Sequence, residues 1–133
     1  MINNQKERVL LVDDDLVVLK LLKATIGERY DVLVAPTAYD IETLIHHFSP
    51  NLIVLDIGLP DENGKDLCKS LRHRKDFDHI AILFLSGLHE PEVAAAAIQA
   101  GADGYLTKPF DTLVLKNTIA HLIESKRFSL LVS

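Results

Sequence analysis

Four short apolar runs each end in a polar residue, and this recurrence limits the folds open to the chain. Val9-Leu10-Leu11-Val12 leads into Asp13-Asp14-Asp15, and Leu52-Ile53-Val54-Leu55 leads into Asp56. Ile80-Ala81-Ile82-Leu83-Phe84-Leu85 leads into Ser86, and Tyr105-Leu106-Thr107 leads into Lys108. Apolar runs of this length, bounded by turn residues, read as strands covered on both faces, as in a parallel sheet. Parallel strands place their carboxyl ends along one edge, where open α/β sheets bind ligands. Carboxylates, a hydroxyl and an ammonium are therefore expected in one crevice.

Between the runs lie stretches of helical period. Val18, Leu21, Leu22 and Ile26 mark a first helix that stops at Gly27. Tyr30 to Ala35 is a further strand, followed by a helix through Ile41, Leu44, Ile45 and Phe48 that ends before Pro50. Gly64 to Arg72 places Leu67, Cys68 and Leu71 on one face. Pro91 opens a helix that ends at Gly101. Its spacing turns Val93, Ala97 and Ala100 inward and Glu92, Ala95, Ala96 and Gln99 outward. Asp111 caps a last helix with Leu115, Ile119 and Leu122 inward and Leu113 or Val114 partly exposed. Five strand–helix units predict an α/β fold, a doubly wound parallel sheet with helices on both faces and right-handed crossovers.

With 133 residues, 48 % apolar and 25 % charged, the chain has the size and composition of one domain. Residues 1–127 are read as that domain and 128–133 as a tail or the start of a linker. A net charge of −5 argues against a direct nucleic-acid surface. The single Cys68 fits a reducing compartment. No run approaches the ~20 apolar residues that span a bilayer, and residues 1–8 have no signal-peptide core. A cytoplasmic protein without a membrane segment is expected.

Carboxylates crowded at one edge repel each other unless a cation lies among them. An all-oxygen ligand set suits Mg²⁺, with Mn²⁺ as the alternative, rather than zinc. Lys108 adds a fixed positive charge and Ser86 a neutral donor, which together suit a phosphoryl group in transfer. A carboxylate can itself be the nucleophile. Asp15 is expected to cap a helix, whereas Asp56, at the end of a strongly apolar strand, has no such structural use. The six histidines lack zinc-ligand spacing, and Cys68 reads as core packing. Asp61 and Glu62 read as solvated loop acids, and Arg72-His73-Arg74-Lys75 as charges that complement a helix end.

The ordered set Val12-Asp13-Asp14-Asp15, Leu55-Asp56-Ile57-Gly58-Leu59-Pro60-Asp61-Glu62-Asn63-Gly64, Leu85-Ser86-Gly87, Gly101-Ala102-Asp103-Gly104-Tyr105 and Lys108-Pro109-Phe110 resembles the receiver domain of bacterial two-component response regulators. The likeness runs from about Arg8 to Lys126. It implies a flavodoxin-like (βα)5 sheet of order 2-1-3-4-5. It also implies that Asp56 is the phosphoacceptor and that Asp14 binds Mg²⁺, with Asp13 helping and the Gly58 carbonyl as a further ligand. Ser86 and Lys108 would meet phosphoryl oxygens, and Tyr105 would be the switch aromatic. Lys108-Pro109 would be cis. The implied partners are a sensor histidine kinase or histidine phosphotransfer protein and an output partner or effector domain. A phosphorylation-dependent dimer is a further expectation. Such a domain catalyses only its own phosphorylation and dephosphorylation. Gly58 and Leu88 depart from the polar residues that related receivers often carry there, which bears on the lifetime of the phosphoryl group. The rival reading is a haloacid dehalogenase-like phosphatase using Asp13, which would leave Asp56 without a task.

Overall fold

A computed structural model describes residues 5–58, 63–87 and 91–132, and for residues 91–94 the backbone alone. The elements are β1 (Arg8–Val12), α1 (Leu16–Ile26), β2 (Asp31–Ala35), α2 (Ile41–Phe48), β3 (Leu52–Asp56), α3 (Gly64–Arg72), a 3₁₀ turn (Lys75–Phe77), β4 (Ala81–Ser86), α4 (Pro91–Gln99), β5 (Gly104–Thr107) and α5 (Thr112–Val132). The five strands form one parallel sheet of order β2-β1-β3-β4-β5. No helix among the described residues is long and apolar enough to cross a membrane.

The two-residue strand period divides the core in two. Leu10, Val12, Ile53, Leu55, Ile82 and Phe84 face α2, α3 and α4. Val9, Leu11, Leu52, Val54, Leu83 and Leu85 face α1 and α5. Central strands β3 and β4 are buried along their full length, as two covered faces require.

Local chemistry sets the helix ends. Asp15 Oδ1 accepts from the N–H groups of Val17 and Val18, and Asp111 Oδ1 from those of Leu113 and Val114. Asn63 does the same for α3, accepting from Lys65 and Asp66. Gly27 ends α1 in an ordinary right-handed conformation, whereas Gly101 follows α4 at φ +106°, where a side chain would be strained.

Several inward positions fall as the periodicity predicts: Cys68, Ala97, Ala100, Leu115, Ile119 and Leu122 are buried. Ala95 and Gln99 are exposed and Ala96 half-buried. Ile98, to which the periodicity assigned no face, is exposed. The side chains of Glu92 and Val93, and residues Asp61, Glu62 and Leu88, lie outside the described residues. One helix face differs from expectation. In α1, Leu19 is buried with Leu22 and Ile26, while Leu21 is 49 % exposed. The helix is apolar almost all round, so periodicity alone does not fix which leucines turn inward. The last helix continues into the residues read as a tail or the start of a linker. No glycine or proline interrupts residues 128–132, and the backbone stays helical through Val132.

Candidate functional site

The carboxyl ends of β1, β3, β4 and β5 bring the polar residues of the four runs to one edge. Asp13, Asp56 and Ser86 are buried polar residues beside a sheet otherwise lined with hydrocarbon. Asp13 is tied in by its backbone N–H, which donates to the Ala35 carbonyl at 3.2 Å. Its Oδ1 accepts from the Asp15 N–H at 2.9 Å. Thus the three successive acids serve different ends: Asp13 turns inward, Asp14 stays exposed, and Asp15 caps α1.

Asp56 is the last residue of β3. Its Oδ1 accepts from the Gly58 N–H at 2.9 Å, and the Ile57 N–H donates to the Leu85 carbonyl at 3.1 Å. The loop after Asp56 returns closely to α3. A Cβ on Gly64 would lie 2.6 Å from the Ile57 Cα, so only glycine admits this approach. On β4, Ser86 pairs with Thr107 in β5. One residue later, the Lys108 N–H donates to the Ser86 carbonyl at 2.6 Å. The Lys108–Pro109 peptide is cis.

Lys108 Nζ lies 2.8 Å from Asp13 Oδ2 and 3.5 Å from Asp56 Oδ2. Burial raises the Asp56 pKa above its ordinary value. The Gly58 N–H opposes that rise, the Asp13 charge adds to it, and Lys108 opposes it. Burial acts to lower the Lys108 pKa, but the close contact with Asp13 and the charges of both aspartates outweigh it and raise the value. The ammonium is therefore held charged.

The residues present fit a hard divalent cation. Asp13, Asp14 and Asp56 can each turn one carboxylate oxygen to a common point, with those oxygens within 4.8 Å of one another. Asp13 Oδ2 is buried without an aligned hydrogen bond, so Lys108 reaches it as a charge contact rather than a directed bond. That oxygen has a lone pair to offer, and the donor set is all oxygen.

Gly58 is exposed beside Asp56. Tyr105 lies opposite Phe84 in the β4–β5 ladder and packs partly buried against the core under α2, α3 and α4. By strand period it shares a face with Phe84 and Ser86. The structure thus gathers Asp13, Asp14, Asp56, Ser86 and Lys108 and sets Gly58 and Tyr105 at the margin.

The sequence reading missed a polar cluster at the opposite sheet edge. Arg72 donates to the carbonyls of Gly101, Phe77 and Ile80 and to Asp103 Oδ2. Asp103 also accepts from the Ile82 N–H at 2.8 Å and meets Lys126 Nζ at 2.9 Å. Helical phase was the available signal, because Arg72 follows the buried Cys68 by four residues. The His46 ring, one of the six without zinc-ligand spacing, packs tilted against Phe77 with centroids 5.3 Å apart.

A model of the response regulator receiver domain matches residues 9–120. The aerobic respiration control protein ArcA of Escherichia coli is 33 % identical over 108 residues, covering 80 % of this chain and 44 % of that protein. The transcriptional regulatory protein AruR of Pseudomonas aeruginosa is 36 % identical over 126 residues, covering 90 % of this chain and 50 % of that protein. The chain thus spans about half the length of these relatives. The crystal structure of a signal receiver domain from Vibrio parahaemolyticus superposes with a TM-score of 0.86 at 29 % identity, covering 96 % of this chain and 98 % of that one. The motifs, the order of the strands and these matches agree: the chain belongs to the response regulator receiver domain family.

Proposed function

We propose that the chain is the phosphoacceptor switch of a two-component relay, with Asp56 as the residue phosphorylated. The observation that carries this reading is the position of the Asp56 carboxylate. It ends a buried strand, faces Asp13 and Asp14, and has Lys108 Nζ 3.5 Å from Oδ2. The Asp56 oxygen attacks the phosphorus of a phosphohistidine on a sensor kinase or phosphotransfer protein. A P–O bond forms, the P–N bond breaks, and the electron pair leaves with the imidazole nitrogen. Lys108 balances charge on the phosphoryl oxygens, and the Ser86 hydroxyl donates to one of them. Asp13 and Asp14 would hold Mg²⁺, with Asp56 and the Gly58 carbonyl completing the protein ligands. Bound Mg²⁺ supplies charge neutralisation for the oxygens of the transferring group.

Asp13 is less suited to be the nucleophile. Both carboxylates accept one backbone N–H at 2.9 Å, but Lys108 Nζ holds Asp13 Oδ2 at 2.8 Å against 3.5 Å for Asp56 Oδ2, which leaves the Asp56 oxygen the freer of the two. In this reading the domain acts on its own carboxylate and turns over no external substrate. Movement of Ser86 toward the phosphoryl group makes room for Tyr105 to turn inward, and the altered face reaches an output domain or separate partner.

Acetyl phosphate with Mg²⁺ is expected to add one phosphoryl group. Borohydride reduction followed by peptide mapping is expected to find it at Asp56, and a chelator to prevent it. Label on Asp13 or on a histidine would refute the assignment. Asp14→Ala is expected to weaken Mg²⁺ binding, measured by calorimetry on the unphosphorylated protein. Unchanged affinity would remove Asp14 from the ligand set.

A further inference from the structure

Helix α5 has two different faces. Leu115, Ile119, Leu122 and Ile123 are buried against the sheet. Lys126 is held to Asp103 at 2.9 Å and Arg127 to Glu7, so the helix remains clamped to the domain beyond the last core contacts. On the opposite face, Val114, Asn117, His121, Glu124, Phe128 and Leu131 form an exposed stripe. Their spacing alternates three and four residues, the period of a seam between two helices. The apolar members are well exposed, with Val114 at 48 %, Phe128 at 64 % and Leu131 at 80 %. The distal half of the stripe lines an open groove of ≈ 420 Å³.

We propose that this stripe is a dimer seam whose occupant is α5 of a second copy of the chain, running antiparallel. Charge and size complementarity choose this occupant. About a two-fold axis between residues 122 and 123, His121 meets Glu124 of the other copy. Val114 meets Leu131 and Asn117 meets Phe128, each contact occurring twice. A parallel pair would stack Glu124 on Glu124 and His121 on His121, which opposes like groups. The flanking Thr118, Ala120 and Ser125 bring no charge, and Arg127 is already paired with Glu7. The two domain bodies lie on the outer sides of the helix pair, so the contact closes on itself. This seam needs neither Asp56 nor its phosphorylation.

Sedimentation of the full chain over a range of concentrations is the test. The unmodified chain is expected to dimerise reversibly. Leu131→Asp, at an exposed position, is expected to abolish the dimer without changing the melting curve recorded at concentrations where the parent is monomeric. Glu124→Lys is expected to weaken the dimer, and His121→Glu together with Glu124→Lys to restore it. A chain carrying Val114→Cys and Leu131→Cys is expected to form covalent dimers on oxidation, with the buried Cys68 kept out of the reaction. A monomer at every concentration, a dimer indifferent to Leu131→Asp, or failure of the charge swap to rescue would overturn the seam. Cross-linking by Phe128→Cys alone, without cross-linking by the paired cysteines, would show a parallel pair and overturn it as well.

Discussion

Asp56→Asn is expected to reduce phosphoryl uptake from acetyl phosphate to background while making the unphosphorylated fold more stable at neutral pH. The first effect follows from removing the attacking oxygen anion, since an amide is not a competent nucleophile for this transfer. The second follows from the direction of the Asp56 pKa. Burial raises it above the ordinary 3.8, so the folded state binds that proton more tightly than the unfolded chain does. The stabilisation by proton binding is complete below the unfolded value and is lost as pH rises through the folded one. At neutral pH the ionised carboxylate therefore opposes folding, and the neutral amide removes that opposition together with the repulsion from Asp13. Urea titrations of both proteins should show the variant ahead at pH 7, with the gap closing as pH falls toward 4. A variant that still accepts a phosphoryl group, or one less stable than the parent at pH 7, would contradict this account.

Arg72→Ala is expected to be among the most destabilising single changes outside the hydrocarbon core, at about 3–5 kcal/mol. The side chain is largely buried, and its guanidinium makes four hydrogen bonds of 2.7 to 3.1 Å. They join the end of α3 to the 3₁₀ turn, the residue before β4 and the junction between α4 and β5. Truncation removes the guanidinium donor from the carbonyls of Ile80 and Gly101, leaves the Phe77 carbonyl to the Ile80 N–H, and leaves the Asp103 charge to Lys126 and one N–H group. For a chain of this size the loss should lower the melting temperature by roughly 10–20 °C. Arg72→Lys should recover only part of it, because an ammonium cannot reproduce a planar fork of donors. Calorimetry on the three proteins is the check. A shift corresponding to less than about 1 kcal/mol would mean that the bonds add little beyond what water supplies.

The strands were legible because burial on both faces writes itself as uninterrupted apolar residues. That same rule made the acid cluster legible, since Asp56 breaks the apolar pattern of β3 at its last position. The sequence of strands across the sheet was not readable from periodicity and came from the resemblance. The inward face of α1 was ambiguous because Leu16, Val17, Val18, Leu19, Leu21 and Leu22 offer hydrocarbon in nearly every direction. The role of Arg72 was hidden for another reason. Its partners are backbone carbonyls and one aspartate, up to 31 residues away in the chain, and carbonyls have no sequence signature. Gly64 shows an intermediate case. A glycine at the start of a helix is visible in the sequence, but its cause, the Ile57 backbone 2.6 Å from where a Cβ would stand, is purely tertiary.

The 2.6 Å bond from the Lys108 N–H to the Ser86 carbonyl makes two neighbouring strand ends one mechanical part. That part carries both the Ser86 hydroxyl and the Lys108 ammonium. A pull on Ser86 is consequently also a pull on the backbone that carries Lys108 and, three residues earlier, Tyr105. The domain need not transmit a message along a chain of side chains between these residues. On the proposed reading they respond as a yoked pair of levers, and because the yoke is main chain, removing either side chain leaves it intact.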